Sequence, residues 1–422
     1  MKYLLLLLTA VLLCACEDKF ADGSASRTTL HVELDMPQLP EGAEICNPLI
    51  TVFNISTQTA ATYTPQSEIL LLSGLYDISY SATVDVPGAT SSTLRGLSAS
   101  VQIGGTEQTV AIKLYNNIDT DDLIISEVFF AGTLQRSGNQ YYGDDYVKLY
   151  NNTDHVIYAD GITLFESRFL TTEKHDYDPD IMDEAMTVQA LYTVPGNGTD
   201  VPVQPGESLL LCDTGIDHRV ANPNSFDLSK ADFEWYDVST QPSALDIDGP
   251  VPNLDKWYCY TKSFWLLHNR GFRAIGIARI PIERDSYLKD YFYTYNYILV
   301  TVAGDFPMSQ SAYRMPNEWI VDVVNCSVDA LYSWNVCSPQ LDCGYTACGT
   351  IDADKTRYFH SVRRKLLYVT DDGRAVLKDT NNSTEDFNRM CVPSEIELQG
   401  TATDSQGTPC TTRTYDGITP VP

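Results

Sequence analysis

The sequence predicts an all-β protein made of two β-sandwich domains in tandem, the second enlarged by long insertions. Three observations lead there. Short runs alternate apolar and polar residues, as in Leu30-His-Val-Glu-Leu34 and Leu75-Tyr-Asp-Ile-Ser-Tyr80, which is the period-2 signature of half-buried strands. Tyrosine leads the aromatic residues at 26, amid 25 Gly and 21 Pro, so strand formers stand between frequent turn residues. No long stretch shows helical spacing free of Pro and Gly; the nearest is Arg284 to Tyr297, where Tyr287, Leu288, Tyr291 and Phe292 have helical spacing but strand-forming chemistry, so either element fits.

Residues 1–15 read as a secretory signal. Lys2 precedes an uncharged run from Tyr3 to Cys14, too short to cross a bilayer core, which needs roughly 20 apolar residues. The run closes on Leu13-Cys14-Ala15-Cys16, which resembles the lipobox of bacterial lipoproteins; the resemblance implies lipidation at Cys16, preceded by the small Ala15. Glu17, Asp18 and Lys19 resemble the export signal that carries Bacteroidota lipoproteins to the outer face of the outer membrane. Residues 16–28 are then a lipidated tether, with small polar residues from Ala21 to Thr28. The expected location is the outer membrane, lipid-anchored, at the cell surface.

The net charge of −28, from 56 acidic and 28 basic residues, repels phosphates and anionic lipid, which excludes nucleic acid as a partner. The membrane contact expected is the lipid alone.

Residues 29–117 form the first expected sandwich. Its runs include Leu49-Ile-Thr-Val-Phe53 and Val110-Ala-Ile-Lys-Leu114, with turns at Pro40-Glu-Gly42, Pro87-Gly88 and Gly104-Gly105. "ITVFN" followed by "SGLYDISYSA" resembles prealbumin-like or Cna-B-like modules of surface proteins. The polar stretch Asn116 to Asp122 marks the boundary.

Residues 118–394 form the second. "LIISEVFFAG" (Leu123 to Gly132), "DDYVKLYNNTDHVIYADGITL" (Asp144 to Leu164), "VQPGESLLLC" (Val203 to Cys212) and "KDTNNSTEDF" (Lys378 to Phe387) follow in order and resemble a lamin-tail domain. That resemblance implies an immunoglobulin-like sandwich, although Thr163 stands where the family has Trp. The expected core is Val128, Val147, Leu149, Leu164, Leu210, Ile275, Ile277 and Ile320. The span exceeds a lamin-tail core, which leaves Glu166 to Thr187, Thr214 to Trp257 and Pro281 to Met315 as insertions, and residues 395–422 as a tail. The whole combination resembles an uncharacterised family of Bacteroidota outer-membrane lipoproteins, which implies a TonB-dependent receptor as a partner.

Of the 11 cysteines, Cys14 leaves with the signal and Cys16 carries lipid. Cys326, Cys337, Cys343 and Cys348 crowd together without the paired C-x-x-C knuckles of zinc sites, so the exported setting favours disulfides. A local Cys343–Cys348 bridge and a looser Cys391–Cys410 bridge are expected, with Cys212 a buried thiol in an apolar strand.

Chemistry is sparse. No Gly-x-Ser-x-Gly, phosphate loop or paired zinc-spaced histidines occur, and the sequence predicts no enzyme and no required cofactor. Asp176, Asp178, Asp180 and Asp183 alternate in a way that could ligate calcium, against the plain alternative of a solvated acidic run. The most suggestive feature is aromatic: Tyr287, Tyr291, Tyr293 and Tyr295, with Trp257 and Trp265, are the candidate partner-binding face, against the alternative that they fill and edge a strand. The expected function is non-enzymatic ligand capture, as an accessory to TonB-dependent nutrient uptake, with a structural or adhesive surface role as the alternative.

Overall fold

The computed structural model describes residues 27–400, apart from 38, 40–41, 87–91, 118–120, 240, 243–244 and 303. Cys16, the signal and Cys410 lie outside the described residues. The chain is all-β, with only short helices.

Residues up to Asn117 build two facing sheets. In one, Arg27–Asp35 lies between Ile69–Leu72 and Glu107–Lys113; in the other the order is Thr59–Tyr63, Glu44–Asn54, Gly74–Asp85, Ser92–Ile103 and Tyr115–Asn117. Alternate residues meet between them: Leu30, Ile50, Val52, Ile78, Tyr80, Val84, Leu94, Val110 and Ile112 form the core. The sheets approach closely at Gly96, where a Cβ would stand 2.2 Å from the Lys113 carbonyl oxygen.

From Leu123 onward a larger pair of sheets forms. One has six strands, with Leu123–Phe129 and Tyr146–Asn151 at its centre. The other has nine, and Ala185–Thr193, Ile162–Ser167, Ala274–Arg279 and Ile320–Ser327 run through its middle. Val128, Val147, Leu149, Leu164, Ile275 and Ile277 meet between the sheets, as the alternation predicts. Ile320 is also buried but faces a second core, on the other side of the larger sheet. Leu210 corrects the expectation: Leu209 and Leu211 enter the inter-sheet core, and period-2 geometry turns Leu210 outward, half-buried.

The second core explains the insertions. Ile162–Ser167 and Ala185–Thr193 are buried at every position, so the larger sheet is covered on both faces. Its outer face is covered by rings from the insertions, among them Phe169, Tyr177, Tyr287 and Tyr295. The ambiguous stretch divides: Arg284–Asp290 is a helix, and Phe292–Thr301 is a strand in a hairpin with Gly304–Pro316.

The "KDTNNSTEDF" segment is a capped turn on a buried arginine. Asn382 Oδ1 accepts the Thr384 and Glu385 N–H groups, and Asp386 accepts the Thr380 N–H and hydroxyl. Arg364 donates to Asp379 and, at 2.6 Å, to Asp322. No helix among the described residues is long and apolar enough to cross a membrane.

Candidate functional site

The outer face of the first sandwich meets the second. On strands whose even-numbered residues fill the core (Ile50, Val52, Ile78, Tyr80, Leu94), the odd-numbered residues point the other way. That face carries Thr51, Phe53, Asp77, Ser79, Ser81, Thr93, Arg95 and Leu97. Two loops of the second sandwich close over it, bringing Tyr332, Cys343 and Tyr345 from one and Lys378, Thr380 and Glu385 from the other. A partly open cavity of about 520 Å³ lies between them.

Specific contacts hold the two walls together. Arg95, 4% exposed, donates across the boundary to the carbonyls of Thr380, Asn381 and Gln340, the last at 2.6 Å. Gln58 donates to the Asp329 carbonyl at 3.0 Å, and the Tyr345 hydroxyl donates to Gln58 at 2.5 Å. Tyr332 and Tyr345 stack with centroids 4.1 Å apart, and Phe53 packs against that pair.

Burial dominates the site's electrostatics. Burial pushes the Asp77 carboxyl up to about 6, against the Ser100 N–H at 2.7 Å and the neighbouring Tyr332 hydroxyl, which favour the charged form. Burial pushes the Cys343 thiol up to about 12, although Arg95 favours the thiolate, so burial favours the protonated sulfur. The lining contains no histidine to act as base. Hydroxyls, stacked rings and one acid that titrates near neutrality suit a small polar organic ligand.

The residues singled out in the sequence lie elsewhere. Tyr287 and Tyr295 are buried, and Tyr291 and Tyr293 are half-buried. Tyr287 stacks on Tyr291 at 5.2 Å and lies 5.9 Å from Trp257; Tyr293 hydrogen-bonds Thr187. Trp265 does not join them: it is fully buried in the inter-sheet core, stacked on Tyr192 at 5.0 Å. The expected single aromatic face is therefore corrected, because the outer face of the larger sheet itself needed covering.

The calcium expectation is also corrected. Asp180 accepts the Met182 N–H and Asp183 pairs with Lys113 at 3.0 Å, which commits these two carboxylates to different neighbours. Among the described residues no three His, Cys, Asp or Glu side chains gather to hold a metal. Asp176, Asp178 and Asp180 instead border a shallow surface groove of about 670 Å³ with Tyr297, because Tyr177–Asp178 pairs with the aromatic hairpin.

Cys343 and Cys348 are free thiols and not a bridge. Between them Thr346–Ala347 is extended and pairs in parallel with Cys326–Ser327, so Cys343 Sγ meets the Asn381 carbonyl while Cys348 enters the inter-sheet core. Cys391 is buried, and its expected partner Cys410 is not among the described residues. Cys212 is buried and unbridged.

Sequence reasoning missed the cavity. The hydroxyl and charged residues alternating with the core positions of Gly74–Asp85 were its visible trace, but the opposite wall lies more than 200 residues onward.

Residues 204–394 match the family described as "Protein of unknown function (DUF4876)". No curated protein matches the chain. A crystal structure of a DUF4876 family protein from Bacteroides thetaiotaomicron VPI-5482 superposes with a TM-score of 0.54 at 20% identity, over 90% of this chain and 99% of that one. At that identity the likeness shows a shared fold, and it extends over both sandwiches.

Proposed function

We propose that the protein is a non-enzymatic ligand-capture lipoprotein, held by lipid on Cys16 at the outer face of a Bacteroidota outer membrane, serving a TonB-dependent nutrient-uptake system. The cavity between the sandwiches carries the reading. It is built by two domains and lined by hydroxyls, aromatic rings, two acids (Asp77 and Glu385) and two bases (Arg95 and Lys378), with no histidine beside Cys343 among the lining residues. The signal and lipobox-like Leu13-Cys14-Ala15-Cys16 support the anchor.

One specific observation favours the adhesive alternative. The tip of the hairpin exposes Ile298, Val300 and Phe306, an apolar surface that could meet a macromolecule.

The test is a screen of small nutrients by calorimetry on the wild type and on Ser81→Trp, which fills the cavity from an exposed position. Binding by the wild type and its loss in Ser81→Trp, with Tm kept, supports capture. Ligand bound equally by both proteins, or adhesion to immobilised glycans with no small ligand bound, refutes it. Recovery of a TonB-dependent receptor on co-purification from outer membranes is expected for the uptake assignment, and its absence counts against it.

A further inference from the structure

Away from the cavity, the larger sandwich buries two carboxylates that no described basic residue pairs with. Tyr146 is paired with Cys212 across adjacent antiparallel strands, and one step further the Asp213 N–H donates to the Asp145 carbonyl at 2.9 Å. Asp145 and Asp213 therefore oppose each other at the strand ends, on one face. Like charges directly opposite in a sheet are destabilising. Both residues are only 3% exposed. Asp145 Oδ1 and Asp213 Oδ2 are fully buried and receive no hydrogen bond from any described residue.

The surroundings add acids rather than bases. Asp144, wholly buried, is already served by Thr133 and by the Ser225 hydroxyl at 2.7 Å. Asp246, Asp237 and Glu234 face Asp213 from the neighbouring insertion. Lys256 is committed to Asp237 at 2.5 Å. His218 contacts the Thr214 carbonyl through Nε2 and the Tyr141 hydroxyl through Nδ1, an arrangement that suits the neutral ring, and burial holds its pKa down. Isolated buried carboxylates cost several kcal/mol each unless a counter-charge or a proton is supplied.

The space beside them is shaped by a glycine. A Cβ on Gly132 would stand 2.8 Å from the Tyr141 carbonyl oxygen, 3.3 Å from Asp144 Oδ1 and 3.5 Å from Asp145 Oδ1. The Tyr141 carbonyl and Asp145 Oδ1 thus lie near one point, with Asp144 Oδ1 beside them already taken by the Thr133 N–H, and Asp213 faces Asp145 from the adjoining strand end.

We propose that Asp145 and Asp213 bind a hard divalent cation, calcium by the oxygen-only chemistry of its donors, with the Tyr141 carbonyl and water completing the shell. Two carboxylates suffice alongside backbone oxygens and water, since calcium takes six to eight oxygens of mixed kind. The ion joins the 132–141 loop, the strand end at Asp145 and the insertion that begins at Thr214. It is independent of the cavity and of the ligand-capture reading.

The full mature chain, stripped with EDTA, is titrated with calcium while binding and Tm are followed. About one ion per chain, a Tm rise of roughly 5 °C or more and tyrosine-sensitised terbium emission displaced by calcium are expected. Asp213→Asn and Asp145→Asn each lose the calcium-dependent rise, yet melt no lower than the wild type in EDTA, because one of two opposed charges is gone. No binding at millimolar calcium, or an equal rise in wild type and both variants, overturns the site. Should one variant not fold, the other and the terbium signal of the wild type still decide.

Discussion

Asp77→Asn isolates the charge balance of the cavity. Burial raises the Asp77 carboxyl from 3.8 to about 6, so the folded protein holds this proton at pH values where the unfolded chain has released it. Between pH 4 and 6 the folded state binds more protons, and stability falls as pH rises through that window. Above it the ionised carboxylate lowers stability by an amount that two pKa units place at about 3 kcal/mol. Asparagine keeps an oxygen for the Ser100 N–H, 2.7 Å away, and removes the titration. The variant should match or fall slightly below the wild type at pH 4. At pH 7.5 it should melt several degrees higher, with roughly 10 °C as a ceiling. Scanning calorimetry from pH 4 to 8 reads the difference. A pH-independent difference, or a wild type that melts higher at pH 7.5, would refute the account of a buried, costly charge facing the cavity.

Other perturbations test the packing. Arg95→Leu removes donors to three carbonyls of the second sandwich and should cost about 3 kcal/mol in denaturant unfolding; an unchanged unfolding curve would mean Arg95 does not join the domains. Tyr295→Ala should cost about 3–5 kcal/mol, because the ring is buried against Phe169 and Tyr177, whereas Phe292→Ala, half-exposed on the same strand, should cost under about 1 kcal/mol. Denaturant unfolding curves compare the two, and equal losses would contradict the division of rings. Alkylation without reductant should label Cys343 and Cys348 only after denaturation; a mass-mapped peptide joining them would restore the bridge.

Much of the fold was legible because strand alternation is local. The core of the first sandwich and most of that of the second follow from period-2 patterns, and "KDTNNSTEDF" marks a real turn on Arg364. Leu210 was misplaced because Ser208–Cys212 is apolar on both faces, which hides its phase. Arg284 to Tyr297 was ambiguous because it is both elements, a helix and then a strand. The insertions looked functional because their rings exceed what one inter-sheet core can hold. A sheet covered on both faces needs a second core, and whether a sheet is covered twice is settled by tertiary packing alone.

Sites were harder to read than strands for a related reason. Composition drew attention to dense local signals: clustered tyrosines, alternating aspartates, crowded cysteines. In the structure dense signals mostly cover surface, stay solvated or fill core. The places where polar chemistry is concentrated without local compensation join distant segments, Asp77 with Tyr332 in one case and Asp145 with Asp213 in the other. Each of these acids is unremarkable among 56 in the sequence, and becomes informative only when folding removes water from it and brings another ring or acid opposite. The costly burial is then the signal: a chain that keeps Asp145 and Asp213 face to face in its interior must offset that repulsion from outside its own side chains, by a proton or a cation. A retained proton leaves stability indifferent to calcium, whereas a bound cation makes it rise with calcium and fall with EDTA. The calcium titration of the wild type therefore separates the two.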